Sequence, residues 1–244
     1  MTAVLELRDV VAGYGPFNAL FGVSLEVGEG EAVALLGPNG VGKTTVARVA
    51  SGLVAPASGT VWVTGHDLTG APAHRFARAG VAHAPEGRSV FATLTVAENL
   101  TLSFRRSLGR QGVAPALERA FELFPALTHR RNQLAGTLSG GEQRMLSMAR
   151  VLVEEPALLV ADELSLGLAP IVVDEVYATL ARLRATGTSL LIVEQHVGHA
   201  LALCDRVVLL DHGAVAWTGD AEAAADRVAT RVFEHRSALP DPPD

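Results

Sequence analysis

The sequence predicts an α/β fold: a parallel sheet at the core, an antiparallel β-lobe ahead of it, and a helical lobe inserted into it. Three observations predict this. Apolar runs at 157–161, 188–193 and 206–210 are continuous rather than alternating, as strands buried on both faces of a parallel sheet are. Between the first two, residues 167–185 carry helical apolar spacing (Ile171, Val172, Val176, Leu180, Leu183), which gives strand–helix–strand order. Residues 95–155 hold helix-like segments and no clear strand.

Each element follows from its pattern. Residues 4–11 alternate as a half-buried strand does, and residues 20–27 and 60–64 share that character around Gly/Glu-rich turns at 28–31. These form the β-lobe. Ala32–Leu36 is a buried strand that runs into a glycine-rich turn and a helix near 43–52. A further helix is expected over 144–153. Residues 1–236 are expected to form one domain, with the helical lobe at about 92–155 inserted in the core. The proline-rich residues 237–244 read as a disordered tail.

Composition excludes several functions. The 244 residues are 49% apolar, enough for a sizeable core, and 19% charged with net charge −6. A negative chain with no basic cluster denser than Arg105–Arg106 or Arg130–Arg131 is a poor binder of nucleic acid. The single cysteine, Cys204, excludes a disulfide framework and a thiolate zinc site. No apolar run is long enough to span a membrane, and the first residues lack the pattern of a signal peptide. The expectation is a cytoplasmic protein that meets the membrane only through partners. Among 20 Lys and Arg residues, Lys43 is the one lysine.

That lysine stands in Gly37, Pro38, Asn39, Gly40, Val41, Gly42, Lys43, Thr44, which matches the phosphate-loop pattern G-x-x-x-x-G-K-[ST] between a strand and a helix. Glycines let the backbone curl its N–H groups toward phosphate oxygens, and the helix start adds partial positive charge. Lys43 can reach the β- and γ-phosphates as a compact ammonium, and Thr44 can place its hydroxyl on Mg²⁺. Thr45 completes the nucleotide-binding set. Chance alone would surround a single lysine this way roughly once in a thousand.

An apolar strand ends in Asp162 and Glu163. Carboxylates at the C-terminal end of a parallel strand sit beside such a loop. Asp162 can hold Mg²⁺, while Glu163, one residue on, can orient or deprotonate a water. Ahead of this strand, Ser139, Gly140 and Gly141 stand at a helix N-terminus and form a second anion-binding nest. A nest far from its own phosphate loop makes sense if it closes on a nucleotide held by another subunit.

The stretch from Leu138 to Gln143, Leu-Ser-Gly-Gly-Glu-Gln, resembles the signature motif of ABC-type ATPases, and the phosphate loop and acidic strand stand in the matching order over nearly the whole chain. The resemblance implies a P-loop NTPase (RecA-like) core that binds and hydrolyses ATP with Mg²⁺. It implies that Tyr14 stacks on adenine, packing at a strand end being the alternative for that ring. It implies that Ser139, Gly140, Gly141 and Glu142 close on the γ-phosphate of a head-to-tail partner subunit, and that residues 165–168 cross that interface. Residues 84–90 correspond to a loop that senses Mg²⁺ and the membrane subunits.

Three positions depart from the general pattern. The sensing loop carries Glu86 rather than Gln, and Leu164 rather than Pro follows the acidic pair. The switch position, usually His, falls on Gln195 when counted back from Asp205 and Arg206, with His196 adjacent. The register favours Gln195, whose amide can still donate to a γ-phosphate. Pro-Glu-Gly-Arg at 85–88, Ser-Leu-Gly-Leu-Ala-Pro at 165–170 and Val-Glu-Gln at 193–195 together resemble the ATP-binding subunits of branched-chain amino acid importers. That resemblance implies two membrane permease subunits, a second ATPase subunit, identical or related, and an external solute-binding protein, with this chain on the inner face of the membrane. Urea or short-amide import is the near alternative, and a soluble regulatory ABC ATPase the more distant one. A guanine-reading Asn-Lys-x-Asp motif is impossible with one lysine in the phosphate loop.

Other residues take plainer roles. His196, His199 and Cys204 lack the further ligands of a metal site. Trp62 and Trp217 read as packing residues. Phe91, Phe104, Phe121 and Phe124 are divided between core packing and a groove for a permease helix.

Overall fold

Alternation along four buried strands sets the layers of the molecule. The computed structural model describes residues 2–85, 90–152, 155–195 and 197–224. Strand β3 (Ala32–Leu36) sends Ala32, Ala34 and Leu36 to one apolar cluster and Val33 and Leu35 to another. β7 (Leu158–Asp162), β8 (Ser189–Glu194) and β9 (Arg206–Asp211) divide their apolar residues the same way. Period-two geometry with both faces covered requires continuous apolar runs.

These strands form a six-stranded sheet in the order β10-β9-β3-β8-β7-β6, in which β6 is Val81–Ala84 and β10 is Ala214–Asp220. All neighbours are parallel except β10, which runs antiparallel to β9 at the edge. A second, antiparallel sheet has the order β2-β1-β4-β5, from β1 (Ala3–Tyr14), β2 (Phe17–Gly28), β4 (Ser58–Val63) and β5 (His66–Asp67). Its inner face and helix α1 (Lys43–Ala50) cover one side of the parallel sheet. Arg206, at the start of β9, holds the two sheets in register: its guanidinium donates to Glu31 Oε1 at 2.8 Å and to the Glu26 carbonyl at 2.6 Å.

After α2 (Ala73–Arg78) and β6, the chain leaves the sheet for α3 (Val96–Ser107), α4 (Gly109–Leu123), α5 (Pro125–Thr128) and α6 (Gly140–Leu152). It returns at β7, then runs through α7 (Pro170–Ala185) and α8 (Val197–Leu203). Thr95 and Glu98 cap α3 reciprocally, the side chain of each accepting the backbone N–H of the other. Leu100, Phe104, Leu127 and Leu146 are fully buried and share one cluster with Leu36, Leu159 and Ile192 of the sheet. Core packing thus continues from the sheet into the helices.

The strands β6 and β10 and the helix α2 escape the sequence patterns. His83 interrupts the short apolar run of β6, and β10 is a half-exposed edge strand whose Trp217 packs inward. Helix α6 starts at Gly140, four residues ahead of the expected 144. Phe104, Phe121 and Phe124 are core residues; Phe91 is 46% exposed beneath the Arg150 guanidinium.

Candidate nucleotide site

The parallel strands all end at one rim of the sheet, where the loop Gly37–Gly42 (37–42) joins β3 to α1. Gly42 is the residue before the helix, at φ 106 and ψ 4. A side chain there would enter the β-lobe, because a Cβ would lie 2.7 Å from the Ala19 carbonyl oxygen. Gly37 is equally confined: its Cβ would meet the Leu210 carbonyl of β9 at 2.4 Å. Lys43 is 3% exposed. Its Nζ donates to the carbonyls of Gly37 at 2.9 Å and Pro38 at 3.0 Å and stands 3.6 Å from Glu163 Oε1.

Asp162 shares the parity of Leu158 and Val160, so it faces α1. There the Thr44 hydroxyl donates to its Oδ1 at 3.4 Å. A hydroxyl and a carboxylate this close are a donor set for Mg²⁺, which takes one or two protein oxygens and completes its shell with phosphate and water. Among the described residues no group of three or more His, Cys, Asp or Glu side chains is placed to hold a metal ion. Glu163 breaks the strand at φ 45, a conformation uncommon for any residue but Gly, and this turns its carboxylate toward Lys43. Its N–H donates to the Val193 carbonyl of β8 at 2.9 Å.

Arg144 gives a contact that sequence patterns do not reveal. It projects from α6, is 4% exposed, and donates to the carbonyls of Pro85 at 2.7 Å, Glu163 at 3.1 Å and Asp162 at 3.3 Å. One guanidinium therefore links the signature helix, the start of the 84–90 loop and the acidic strand end. Glu86 and His196 lie outside the described residues.

The remaining predicted residues take distinct places. Tyr14, at the end of β1, is 45% exposed; its hydroxyl accepts from Arg48 at 3.0 Å, and that guanidinium lies 5.8 Å from the ring centre. One face of the phenol is thus already paired with a cation from α1. Ser139 and Glu142 cap α6 reciprocally: the Glu142 N–H donates to Ser139 Oγ at 3.3 Å and the Ser139 N–H to Glu142 Oε2 at 2.8 Å. The Ser139 N–H, and beyond it Arg130, hold the Glu142 carboxyl below its ordinary range. Gly141 faces Val172 of α7, whose methyls would be 3.0 Å from an added Cβ. Among the described residues, no hydrogen bond joins 139–142 to the phosphate loop. Gln195 is exposed just beyond β8. His199 pairs with Asp174 on α7, and Cys204 is buried without a disulfide.

A phosphate-loop turn at the C-terminal rim of a parallel sheet, with a hydroxyl–carboxylate pair and a second carboxylate beside it, defines a P-loop nucleotide-binding protein. Comparison with known proteins narrows the class. The ABC transporter family pattern matches residues 20–165, and the chain belongs to that family. It is 41% identical to the high-affinity branched-chain amino acid transport ATP-binding protein BraG of Pseudomonas aeruginosa, over 87% of this chain and 91% of that protein. It is 33% identical to the lipopolysaccharide export system ATP-binding protein LptB of Haemophilus influenzae, over 95% of this chain and 97% of that protein. Its fold matches the ADP conformation of an ATP-binding cassette of an ABC transporter with a TM-score of 0.84 at 25% identity, covering 98% of this chain and all of that one. The α/β core with its antiparallel lobe is thus an ATP-binding cassette.

Proposed function

We propose that the chain binds and hydrolyses ATP to drive import of branched-chain amino acids or a closely related small solute. The observation that carries the hydrolytic part is the meeting of Lys43 with Glu163 at 3.6 Å and of Thr44 with Asp162 at 3.4 Å on one rim. The Lys43 charge is shared by two loop carbonyls and Glu163. ATP offers Lys43 stronger partners in its β- and γ-phosphates, and the exchange leaves Glu163 to accept a proton from the attacking water. Water oxygen bonds to the γ-phosphorus, the bond to the β–γ bridging oxygen breaks, and ADP and inorganic phosphate leave. Thr44 and Asp162 are the residues that would hold Mg²⁺, joined by Glu86; the ion supplies neutralisation of phosphate charge when bound. The Gln195 amide donates to the γ-phosphate, and Tyr14 offers its open face to adenine.

Ser139, Gly140, Gly141 and Glu142 complete the site of a second ATPase subunit in a head-to-tail dimer. Leu166, 49% exposed next to Ser165, lies on the segment 165–168 that would cross that interface. Two permease subunits would receive the work of hydrolysis, with an external protein delivering solute and this chain on the cytoplasmic side. Among the described residues no helix is long and apolar enough to cross a membrane. The similarity to BraG supports the choice of solute.

Glu163→Gln tests the chemistry. ATP should still bind while turnover falls by about a hundredfold or more, the usual worth of a general base. Unchanged turnover would remove Glu163 from that role. ATPase activity of the reconstituted complex, stimulated by leucine, isoleucine and valine but not by urea or acetamide, would support the solute assignment; the reverse order would replace it.

A further inference from the structure

Strand β8 places an unusual residue at its end. Leu190 and Ile192 pack on the α7 side of the sheet, and Glu194 has the same parity. Glu194 is 1% exposed. Its Oε1 accepts the Ser165 N–H at 3.0 Å, and its Oε2 accepts the Ser165 hydroxyl at 2.9 Å and the Gln195 N–H at 3.3 Å. Tyr177 of α7 lies close by, and its phenol is held protonated by burial first and by the Glu194 charge second. Among the described residues no cation pairs with this carboxylate.

A carboxylate taken out of water is costly unless donors surround it. Here the donors come from the segment that follows Glu163 and from the backbone of Gln195. A second staple lies beside the first, because the Glu163 N–H donates to the Val193 carbonyl at 2.9 Å. Leu164, between the two staples, is 1% exposed. The turn that aims the Glu163 carboxylate is therefore pinned at both ends to the last two residues of β8. Glu194 itself faces α7 with both oxygens engaged, away from Lys43 and Thr44, so it does not touch nucleotide.

We propose that Glu194 is a positioning residue. It locks the segment 163–165 to the backbone of Gln195, so that the hydrolytic carboxylate, the γ-phosphate-facing amide and the subunit-facing loop after Ser165 hold one common geometry. The proposal rests on the roles given to Glu163 and Gln195 above.

Steady-state hydrolysis and ATP affinity of the full-length chain in its transporter complex test it, using Ser165→Ala, Ser165→Thr, Glu194→Gln and the double variant Ser165→Ala/Glu194→Gln. Loss of a hydrogen bond to a charged acceptor is expected to lower kcat about tenfold in either Ala or Gln variant, with ATP Kd within about twofold of the parent. The double variant should lose little more than the worse single one, because one linkage is broken twice. Ser165→Thr keeps the hydroxyl and should recover most of the lost turnover. Ser165→Ala removes only a hydroxyl and keeps the test valid should Glu194→Gln unfold. Fully additive losses, an equal loss in Ser165→Thr, or unchanged kcat in Ser165→Ala would overturn the proposal. Its failure is separable from failure of the functional assignment, which Glu163→Gln reports independently.

Discussion

Replacing Gly42 by Ala should cost far more nucleotide affinity than replacing Gly40, although both lie in the same loop at positive φ. Gly40 has φ 81 and Gly42 φ 106. A side chain in that region costs about 1–2 kcal/mol at either position. The two differ in what the new methyl meets. At Gly40 nothing stands within 4 Å. At Gly42 the methyl would lie 2.7 Å from the Ala19 carbonyl oxygen and 2.8 Å from Leu20 Cδ2. Neither yields easily: Leu20 is fully buried, and the next residue of β2 is held by the Phe21 N–H to the Gly213 carbonyl at 2.8 Å. Overpacking of this kind adds about 1–3 kcal/mol.

A strained loop relaxes by leaving the phosphate-competent conformation, and apparent affinity falls with the fraction that remains competent. At about 1.4 kcal/mol per factor of ten, Gly40→Ala should lose roughly tenfold and Gly42→Ala about a hundredfold or more. Titration with a fluorescent ATP analogue measures both, with thermal unfolding alongside to show that each variant is folded. Equal losses in the two variants would refute the steric reasoning, and no loss at Gly42 would take the loop out of nucleotide binding altogether.

Three further outcomes follow from particular contacts. Lys43→Arg keeps the charge but puts a planar fork where a compact ammonium sits between two carbonyls and Glu163, so ATP affinity or turnover should fall about tenfold or more; activity within about twofold would contradict this. Burial alone would raise the Glu31 pKa, but Arg206 and the Gly28 N–H outweigh it and the net shift is downward. Such a group stabilises above its unfolded pKa and loses that contribution as pH falls through its lower folded value. Wild type should therefore exceed Glu31→Gln by about 1 kcal/mol near neutral pH in urea unfolding, the gap closing on the acid side below about pH 4.5; a gap independent of pH would refute the linkage. Finally, burial first and Asp205 second push the Cys204 thiol up to about 12. Maleimide labelling of the native chain at pH 8 should then be at least about a hundredfold slower than in denaturant, and equal rates would show the site to be open.

Much of this was legible in the chain because it depends on local pattern. Continuous apolar runs marked β3, β7, β8 and β9, since strands covered on both faces need apolar residues at every position. The phosphate loop was legible because backbone geometry at Gly42 admits only glycine, and because Lys43 had no competing lysine elsewhere. The linkages that organise the rim were not. Arg144 reaches Pro85 and Glu163 across 59 and 19 residues, and Glu194 reaches Ser165 across 29. No spacing rule brings those positions together, and an arginine on a helix or a glutamate at a strand end reads as solvated surface until the fold buries it.

The acidic pair shows how finely that boundary runs. Strand parity alone would send Asp162 toward α1 and Glu163 to the opposite face, toward α7. The structure keeps the first half of this and reverses the second, because Glu163 adopts φ 45 and turns its carboxylate back to Lys43. A left-handed residue without glycine's freedom persists only when its surroundings over-determine it. Here they do: Arg144 holds the Glu163 carbonyl, Val193 takes its N–H, and Glu194 fixes Ser165 two residues on. The carboxylate proposed for hydrolysis can thus be picked out from two adjacent letters, whereas its aim is set by three contacts from α6 and β8. A variant that spares Glu163 but loosens those contacts should leave ATP bound and unhydrolysed, which is the signature that separates positioning from chemistry at this rim.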